Sequence, residues 1–115
     1  MCGIVGYVGL QSPQNFLIDG LEKLEYRGYD SAGVAVVNEG EIKIRKAVGP
    51  IVNLRKVIGD EDLGGRVGIG HTRWATHGEP NDINAHPHLN TSGSIAVVHN
   101  GIIENADELR EKLIK

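Results

Sequence analysis

The chain opens with a short apolar run, residues 2–9 (CGIVGYVG), that is interrupted by three glycines. A run of this length predicts a buried β-strand, and glycines within a strand indicate that another part of the backbone approaches closely. Because the strand begins at once, this end of the chain is expected to be held in a sheet. Glycine accounts for 16 of the 115 residues, about twice its usual share, so tight turns and close approaches are expected elsewhere too.

Further apolar stretches predict a hairpin and two more strands. Residues 32–38 (AGVAVVN) and 41–48 (EIKIRKAV) flank the turn residues Glu39-Gly40, and the alternation in the second stretch leaves one face wet. A strand is also predicted at 67–72 (VGIGHT). The next is predicted at 94–99 (SIAVVH), after a stretch without periodicity that is either a functional loop or contains missed elements.

Three helices are predicted from apolar residues at helical spacing. The first is capped by Ser12 and ends near Arg27, and the second covers 51–58 (IVNLRKVI). The third begins at Asn105, which forms a pattern like a capping box with Glu108, and its leucines are expected to face the core.

The composition excludes several function classes for what is, at 115 residues, one modest domain. Twelve basic and fifteen acidic residues give a formal net charge of −3, which attracts neither nucleic acid nor an anionic membrane. The apolar runs are far shorter than the roughly 20 residues of a membrane span, and the first residues lack the features of a secretory signal. A single cysteine permits no internal disulfide. We therefore expect a cytoplasmic protein.

Cys2 is the sharpest candidate for a catalytic residue. Removal of Met1 would leave a thiol and a free α-amino group on one residue, and an amine with a pKa of about 7.7–8.0 can accept the thiol proton near neutral pH. If Met1 were retained, the amine would lie one residue too early and this base would be lost. Position alone favours an ordinary small residue at a chain end, whereas Gly3 and the immediate strand favour an anchored one.

Asn100 and Gly101 directly follow the strand predicted at 94–99. An amide side chain and a glycine N–H aimed at one oxygen form an oxyanion hole, in which the loss of one donor typically costs roughly 100- to 1,000-fold in rate. A plain Asn-Gly turn is the alternative that this dipeptide leaves open.

The segment 71–78 (HTRWATHG) combines an arginine, the only tryptophan and two histidines after a predicted strand. Arg73 suits bidentate binding of a carboxylate, and the threonines and histidines of the segment add neutral donors and acceptors. The pattern predicts a clamp for a small anion, with a solvated loop arginine as the alternative. His86 and His88 supply two potential imidazole ligands for a metal ion. The spacing of the five histidines and one cysteine nevertheless does not favour a metal site.

Five stretches together resemble the glutaminase domain of the class II glutamine amidotransferases, which are N-terminal-nucleophile hydrolases. In the order of the family they are 1–9 (MCGIVGYVG), 24–33 (LEYRGYDSAG), 70–78 (GHTRWATHG), 84–88 (NAHPH) and 99–105 (HNGIIEN). The opening CGI and the HNG are shared with the amidophosphoribosyltransferase branch of that family. The YRGYD and RWATH stretches are similar to its sugar-phosphate branch.

The resemblance implies an α+β fold, namely a four-layer αββα sandwich of two stacked antiparallel sheets, of which this chain supplies the first half. It also implies that Cys2 attacks the side-chain amide carbon of glutamine. Asn100 and the Gly101 N–H would stabilise the tetrahedral oxyanion, ammonia would leave as a thioester forms, and water would then release glutamate. We expect no cofactor and no metal for this step.

The same resemblance implies the substrate-binding residues. Arg73 would hold the α-carboxylate of glutamine, Thr76 and His77 would line the pocket, and Trp74 would lie on a mobile loop that closes over it. Arg27 is expected to pack close to the nucleophile.

The family's glutaminase domain is longer than this chain, so residues 1–115 are expected to be a partial domain without the sugar-phosphate isomerase domains. In the longer parent, expected to be a homo-oligomer, fructose 6-phosphate would accept the ammonia. For the chain alone we expect marginal folding and at best weak glutaminase activity. A truncated, non-catalytic fragment that binds small anions and an amidophosphoribosyltransferase-like glutaminase are the alternatives.

Overall fold

A four-stranded antiparallel sheet organises the chain in its computed structural model, which describes residues 3–27, 30–74, 84–101 and 103–114. The strands lie in the order β1-β4-β2-β3, and two short strands, β5 and β6, pair in a second sheet. In chain order the elements are β1 (Gly3–Val8), α1 (Gln14–Lys23), a 3₁₀ turn (Glu25–Arg27), β2 (Ser31–Asn38), β3 (Glu41–Val48), α2 (Ile51–Ile58), β4 (Val67–Arg73), β5 (His88–Leu89), β6 (Ala96–Val97) and α3 (Ala106–Ile114).

Strand β4 lies between β1 and β2 and sets the register of the sheet. It pairs Thr72 with Gly3 on one side and Arg73 with Ser31 on the other. The start of β1, the start of β2 and the end of β4 therefore meet at one end of the sheet.

One face of the sheet is packed against helices α1 and α2. Val34 and Val36 of β2 are fully buried, as are Leu17, Leu21 and Leu54 of the helices. Side chains alternate between the faces of a strand, so these β2 positions and the glycines of β4 that pair with them share the helix face.

Two of those glycines let α1 lie close to β4. A Cβ on Gly68 would lie 2.7 Å from Leu17 Cδ1, and one on Gly70 would lie 3.2 Å from Leu21 Cδ1. The close backbone approach that the glycine content predicts is thus realised where a helix crosses the central strand.

The other face of the sheet is partly covered by the second sheet and the segment before it. A groove of about 270 Å³ lies on this face. Residues of β2, β3 and β4 line one side of it, and Ile95 and Ala96, at the start of β6, line the other. Lys46 of β3 donates from Nζ to the Ala85 carbonyl at 2.9 Å, and Ala85 is fully buried. Helices on one face and a second antiparallel sheet on the other agree with the expected α+β class.

Two elements predicted from local signals, the hairpin and α2, are confirmed. The β2–β3 hairpin turns through Glu39 and Gly40, which have φ values of 53° and 78°. Helix α2 occupies the predicted residues, and its Ile51, Leu54 and Ile58 are buried.

Other predicted boundaries were wrong. Helix α1 has Pro13 at its N-cap position, while the Ser12 hydroxyl donates to the Gly64 carbonyl at 3.4 Å, and the helix gives way to the 3₁₀ turn before Arg27. The stretch without periodicity contains a missed element, β5, which was one of its two interpretations, and the strand predicted at 94–99 shrinks to Ala96–Val97. Helix α3 forms, but none of its residues is buried, so its leucines do not face a core.

None of the helices in the described ranges has the length and apolar character needed to cross a bilayer.

Replacement of Gly33 by alanine is expected to destabilise the fold by about 1–3 kcal/mol, because a Cβ there would overlap the backbone carbonyl oxygen of His86. Gly6 is the matched control: it lies in β1, and a Cβ there would meet nothing within 4 Å. Gly6→Ala should change the free energy of unfolding by less than about 0.5 kcal/mol. Denaturant unfolding of both variants checks this, and equal effects would contradict the close packing of His86 on β2.

Candidate functional site

The buried polar side chains of the described residues all lie at the end of the sheet where β1 and β2 start and β4 ends. They are Ser31, His71, Thr72 and Arg73, none more than 6% exposed. Burial of polar groups costs free energy unless they are hydrogen-bonded, so their concentration at one place marks this sheet end as the candidate site.

Thr72 anchors the first described residue of the chain. Its Oγ1 accepts a hydrogen bond from the Gly3 N–H at 3.1 Å, in addition to the strand pairing of the two residues. A Cβ on Gly3 would lie 3.0 Å from the same oxygen and 2.5 Å from Leu24 Cδ1. Only glycine fits this position without a shift of its neighbours, so the residue that follows Cys2 is tightly held.

Arg73 is the last residue of β4 and is almost completely buried. Its carbonyl oxygen accepts a hydrogen bond from the Asp30 N–H at 2.6 Å, which ties it to the start of β2. The guanidinium has five N–H donors in a planar fork, the geometry that matches a carboxylate. A buried cation at a sheet end is well suited to bind a small organic acid.

His71 lies two residues before Arg73, on the same face of β4. Its Nε2 lies 2.5 Å from Oδ1 of Asn100, which is 29 residues further along the chain. Asn100 is exposed, and Gly101 after it has a φ of 134°, a conformation that L-residues other than glycine rarely adopt. The fold thus brings the Asn-Gly pair to the sheet end that contains Arg73.

Three imidazoles are stacked behind this pair. The ring centroids of His71 and His86 are 4.3 Å apart, and those of His86 and His88 are 4.2 Å apart. Burial lowers the pKa of His71, although its contacts with Asn100 and the backbone of His99 oppose this. Burial, reinforced by the neighbouring His71 and His88, lowers the pKa of His86 to about 4. The pKa of His88 is lowered by burial as well. The stack is therefore neutral at neutral pH.

The described residues contain no group of three or more potential ligands arranged for a metal ion. The rings of His86 and His88 instead contact each other in a tilted arrangement, at an interplanar angle of 53°.

The structure brings together part of the predicted site. Arg73, Asn100 and Gly101 are connected through β4 and His71, and Trp74 follows β4 with 51% of its surface exposed. Arg27 ends the 3₁₀ turn that precedes β2, and its side chain lies outside the described part of the chain. Cys2, Thr76 and His77 also lie outside the described residues.

Sequence reasoning missed the contacts of His71 and Thr72. The available signal was alternation: a histidine two residues before the arginine must share its strand face, and the residue between them must point the other way. The pairing of His71 with Asn100 has no local signal, because the two residues are distant in sequence.

The chain is similar over its whole length to curated aminotransferases. It is 59% identical over 115 residues to the glutamine–fructose-6-phosphate aminotransferase (isomerizing) of Clostridium perfringens, covering 19% of that protein. It is 56% identical to the enzyme of the same name from Pyrococcus horikoshii, again covering 19%. The chain thus spans about a fifth of the length of the curated relatives it matches. No family model matches the chain.

Two solved structures share the fold. The allosteric regulatory enzyme of purine biosynthesis superposes with a TM-score of 0.83 at 28% identity, covering 99% of this chain and 25% of that one. Glutamine phosphoribosylpyrophosphate amidotransferase from B. subtilis gives a TM-score of 0.81 at 28% identity with the same coverage. The N-terminal-nucleophile amidotransferase fold expected from the resemblance is confirmed.

The free energy of unfolding is expected to fall as the pH drops from about 6.5 to about 4, because His86 has an ordinary pKa of 6.5 when unfolded and about 4 when folded. In that window the unfolded chain binds the proton and the folded chain does not, so acid favours unfolding. His86→Gln should flatten the pH dependence relative to wild type, measured by denaturant unfolding at several pH values. His99→Gln, at an exposed position, is the control. The same slope in His86→Gln and wild type would contradict this assignment.

Proposed function

We propose that the chain, which belongs to the family of glutamine–fructose-6-phosphate aminotransferases, carries the glutamine-hydrolysing part of that chemistry. Glutamine would be converted to glutamate and ammonia through a thioester on Cys2. The observation that supports this most strongly is the meeting, at one sheet end, of the anchored residue after Cys2, the buried Arg73 and the Asn100-Gly101 pair.

The proposed nucleophile is the thiol of Cys2 after loss of Met1. The α-amino group takes the thiol proton, sulfur attacks the amide carbon of glutamine, and a tetrahedral intermediate forms. The proton then passes to the leaving nitrogen, ammonia departs, and water hydrolyses the thioester to glutamate. The hydrogen bond from Gly3 to Thr72 supports this role, because an anchored neighbour limits the positions that the nucleophile can adopt.

Asn100 and Gly101 are the proposed donors to the oxyanion. The side-chain oxygen of Asn100 is hydrogen-bonded to His71, so the NH₂ group of the same amide points away from His71. The positive φ of Gly101 gives its N–H an orientation that other residues would adopt only with strain. Preorganised donors of this kind stabilise charge that develops only in the transition state.

Arg73 is the proposed ligand of the substrate α-carboxylate, since it is a buried guanidinium on the same strand face as His71. For Thr76, His77, Trp74 and Arg27 the proposal rests on the family resemblance alone: the first two line the pocket, Trp74 closes over it, and Arg27 packs near the nucleophile.

For the whole protein we propose a wider activity. The relatives are named for glutamine and fructose 6-phosphate, so the ammonia would be delivered to that sugar phosphate by a cytoplasmic homo-oligomer of which residues 1–115 form part of the glutaminase domain. Identity is higher to these relatives than to the solved phosphoribosyl-type amidotransferase, which favours the sugar-phosphate branch. Glutamine hydrolysis is the step proposed under either branch.

A glutamine-like electrophile, such as a diazoketone analogue of glutamine, is expected to alkylate the protein once, at Cys2. Intact mass should show the loss of Met1 together with one added label, and Cys2→Ala should remain unlabelled and inactive. Excess glutamine should protect the wild type. A wild type that binds glutamine but is neither labelled nor active would instead support the non-catalytic, anion-binding alternative.

Arg73→Lys is expected to raise the KM for glutamine by roughly 10- to 100-fold, because a point ammonium cannot reproduce two parallel hydrogen bonds to a carboxylate. Arg55→Lys is the matched control: its guanidinium pairs with Glu22 and Asp19 on the surface, away from the site. That variant should leave the KM unchanged. An unaltered KM in Arg73→Lys would show that another group holds the carboxylate.

A further inference from the structure

We infer that His71 is a positioning residue for the oxyanion hole, and that its Nε2–H determines which end of the Asn100 amide is available to the substrate. The inference rests on the proposed function, because it concerns the same site. It assigns a role to a side chain that is fully buried at the candidate site.

An asparagine in an oxyanion hole has an orientation problem. Its side chain ends in a carbonyl oxygen and an NH₂ group of nearly the same shape, and a half-turn of the amide exchanges them. Only the NH₂ end can donate to an oxyanion, and the oxygen end would repel the developing negative charge. Asn100 is exposed, so packing alone does not select one orientation.

The contact between His71 and Asn100 selects it. Nε2 of His71 lies 2.5 Å from Asn100 Oδ1, and an amide oxygen can only accept a hydrogen bond. With the amide in this orientation, the proton is on Nε2. A proton on Nδ1 instead would bring two lone pairs together at Nε2 and would leave a buried N–H unsatisfied, because Nδ1 of His71 has no hydrogen-bond partner.

The same argument excludes a charged imidazole at this position. Protonation of both nitrogens would leave a cationic N–H on Nδ1 buried without an acceptor, which is costly in a low-dielectric interior. The burial that lowers the pKa of His71 acts in the same direction. A neutral ring with one proton has a single donor, which faces the Asn100 side chain, and the backbone of His99 also contacts the ring.

The place of the His71 ring is set by its strand and by a neighbouring ring. Its backbone is paired on both sides, with Ile4 of β1 and with Gly33 of β2. The ring packs on His86, whose carbonyl oxygen lies directly over Gly33. A donor on the central strand, clamped by a neighbouring ring, is a rigid reference for an exposed side chain.

His71 is not a catalytic residue in this account, because it acts on the reaction only through Asn100. Loss of its donor should let the Asn100 amide rotate, so that its NH₂ group is correctly placed for only part of the time. The oxyanion exists mainly in the transition state, so kcat should fall while the KM for glutamine changes little.

The test is the glutamine-hydrolysis kinetics of His71→Leu and His71→Gln, in the full-length protein as it is expressed. His71→Leu should lower kcat by roughly 10- to 100-fold, less than or equal to the loss of a whole oxyanion donor, with KM within about twofold. His71→Gln should recover most of the activity, because a glutamine NH₂ can donate to the Asn100 oxygen. In an Asn100→Ala background, His71→Leu should have little further effect, since the group it positions is gone.

Equal losses from His71→Leu with and without Asn100, or a KM that rises as much as kcat falls, would overturn the inference in favour of a merely structural role. If His71→Leu does not fold, the tautomer of His71 in the wild-type protein still tests the inference. Long-range ¹H–¹⁵N spectra of histidine-labelled protein distinguish the two imidazole tautomers, with His71→Gln used to identify the signal. A proton on Nε2 supports the inference, and a proton on Nδ1 would overturn it.

The two proposals can fail separately. A wild type without glutaminase activity and without labelling at Cys2 would refute the proposed function. The tautomer of His71 would then still show whether it donates to Asn100.

Discussion

The register of β4 between β1 and β2 is the constraint on which the site depends. It pairs Thr72 with Gly3 and Arg73 with Ser31, so that three chain segments distant in sequence converge at one sheet end. A shift of the β4 register by one residue would place Arg73 on the helix face. It would also place a bulky side chain where the structure has room only for a glycine. The close contacts of Leu17 with Gly68 therefore help to hold the site together from the opposite side of the sheet.

The polar side chains at this sheet end serve the site but lower the free energy of unfolding. His71 and Ser31 each have a buried polar atom without a hydrogen-bond partner, and the stacked imidazoles are favoured in their neutral forms. Unsatisfied buried groups are rare in folded proteins and tend to accumulate where a binding or catalytic site needs them. The same environment that weakens the fold keeps the His71 proton on one nitrogen and directs it at Asn100.

Elements with local signals were predictable, and elements that depend on distant partners were not. The β2–β3 hairpin and α2 follow from turn residues and helical periodicity that lie within the elements themselves. Strand β5 has two residues and exists only because β6 pairs with it. The apolar positions of α3 predict a helix face, but periodicity does not say whether anything covers that face, and here nothing in the described chain does.

By itself the sequence determined which chemical groups are present and their order: a cysteine beside a glycine, an arginine after a strand and an Asn-Gly pair after another. Those groups have characteristic chemistry in any surroundings, and their pattern suffices to recognise the family. Tertiary structure alone decided that His71 meets Asn100, that three imidazoles stack, and that Arg73 is buried. The reason is that these contacts depend on strand register and on the return of later segments to β4, in the case of Asn100 from 29 residues away, which local propensity does not encode.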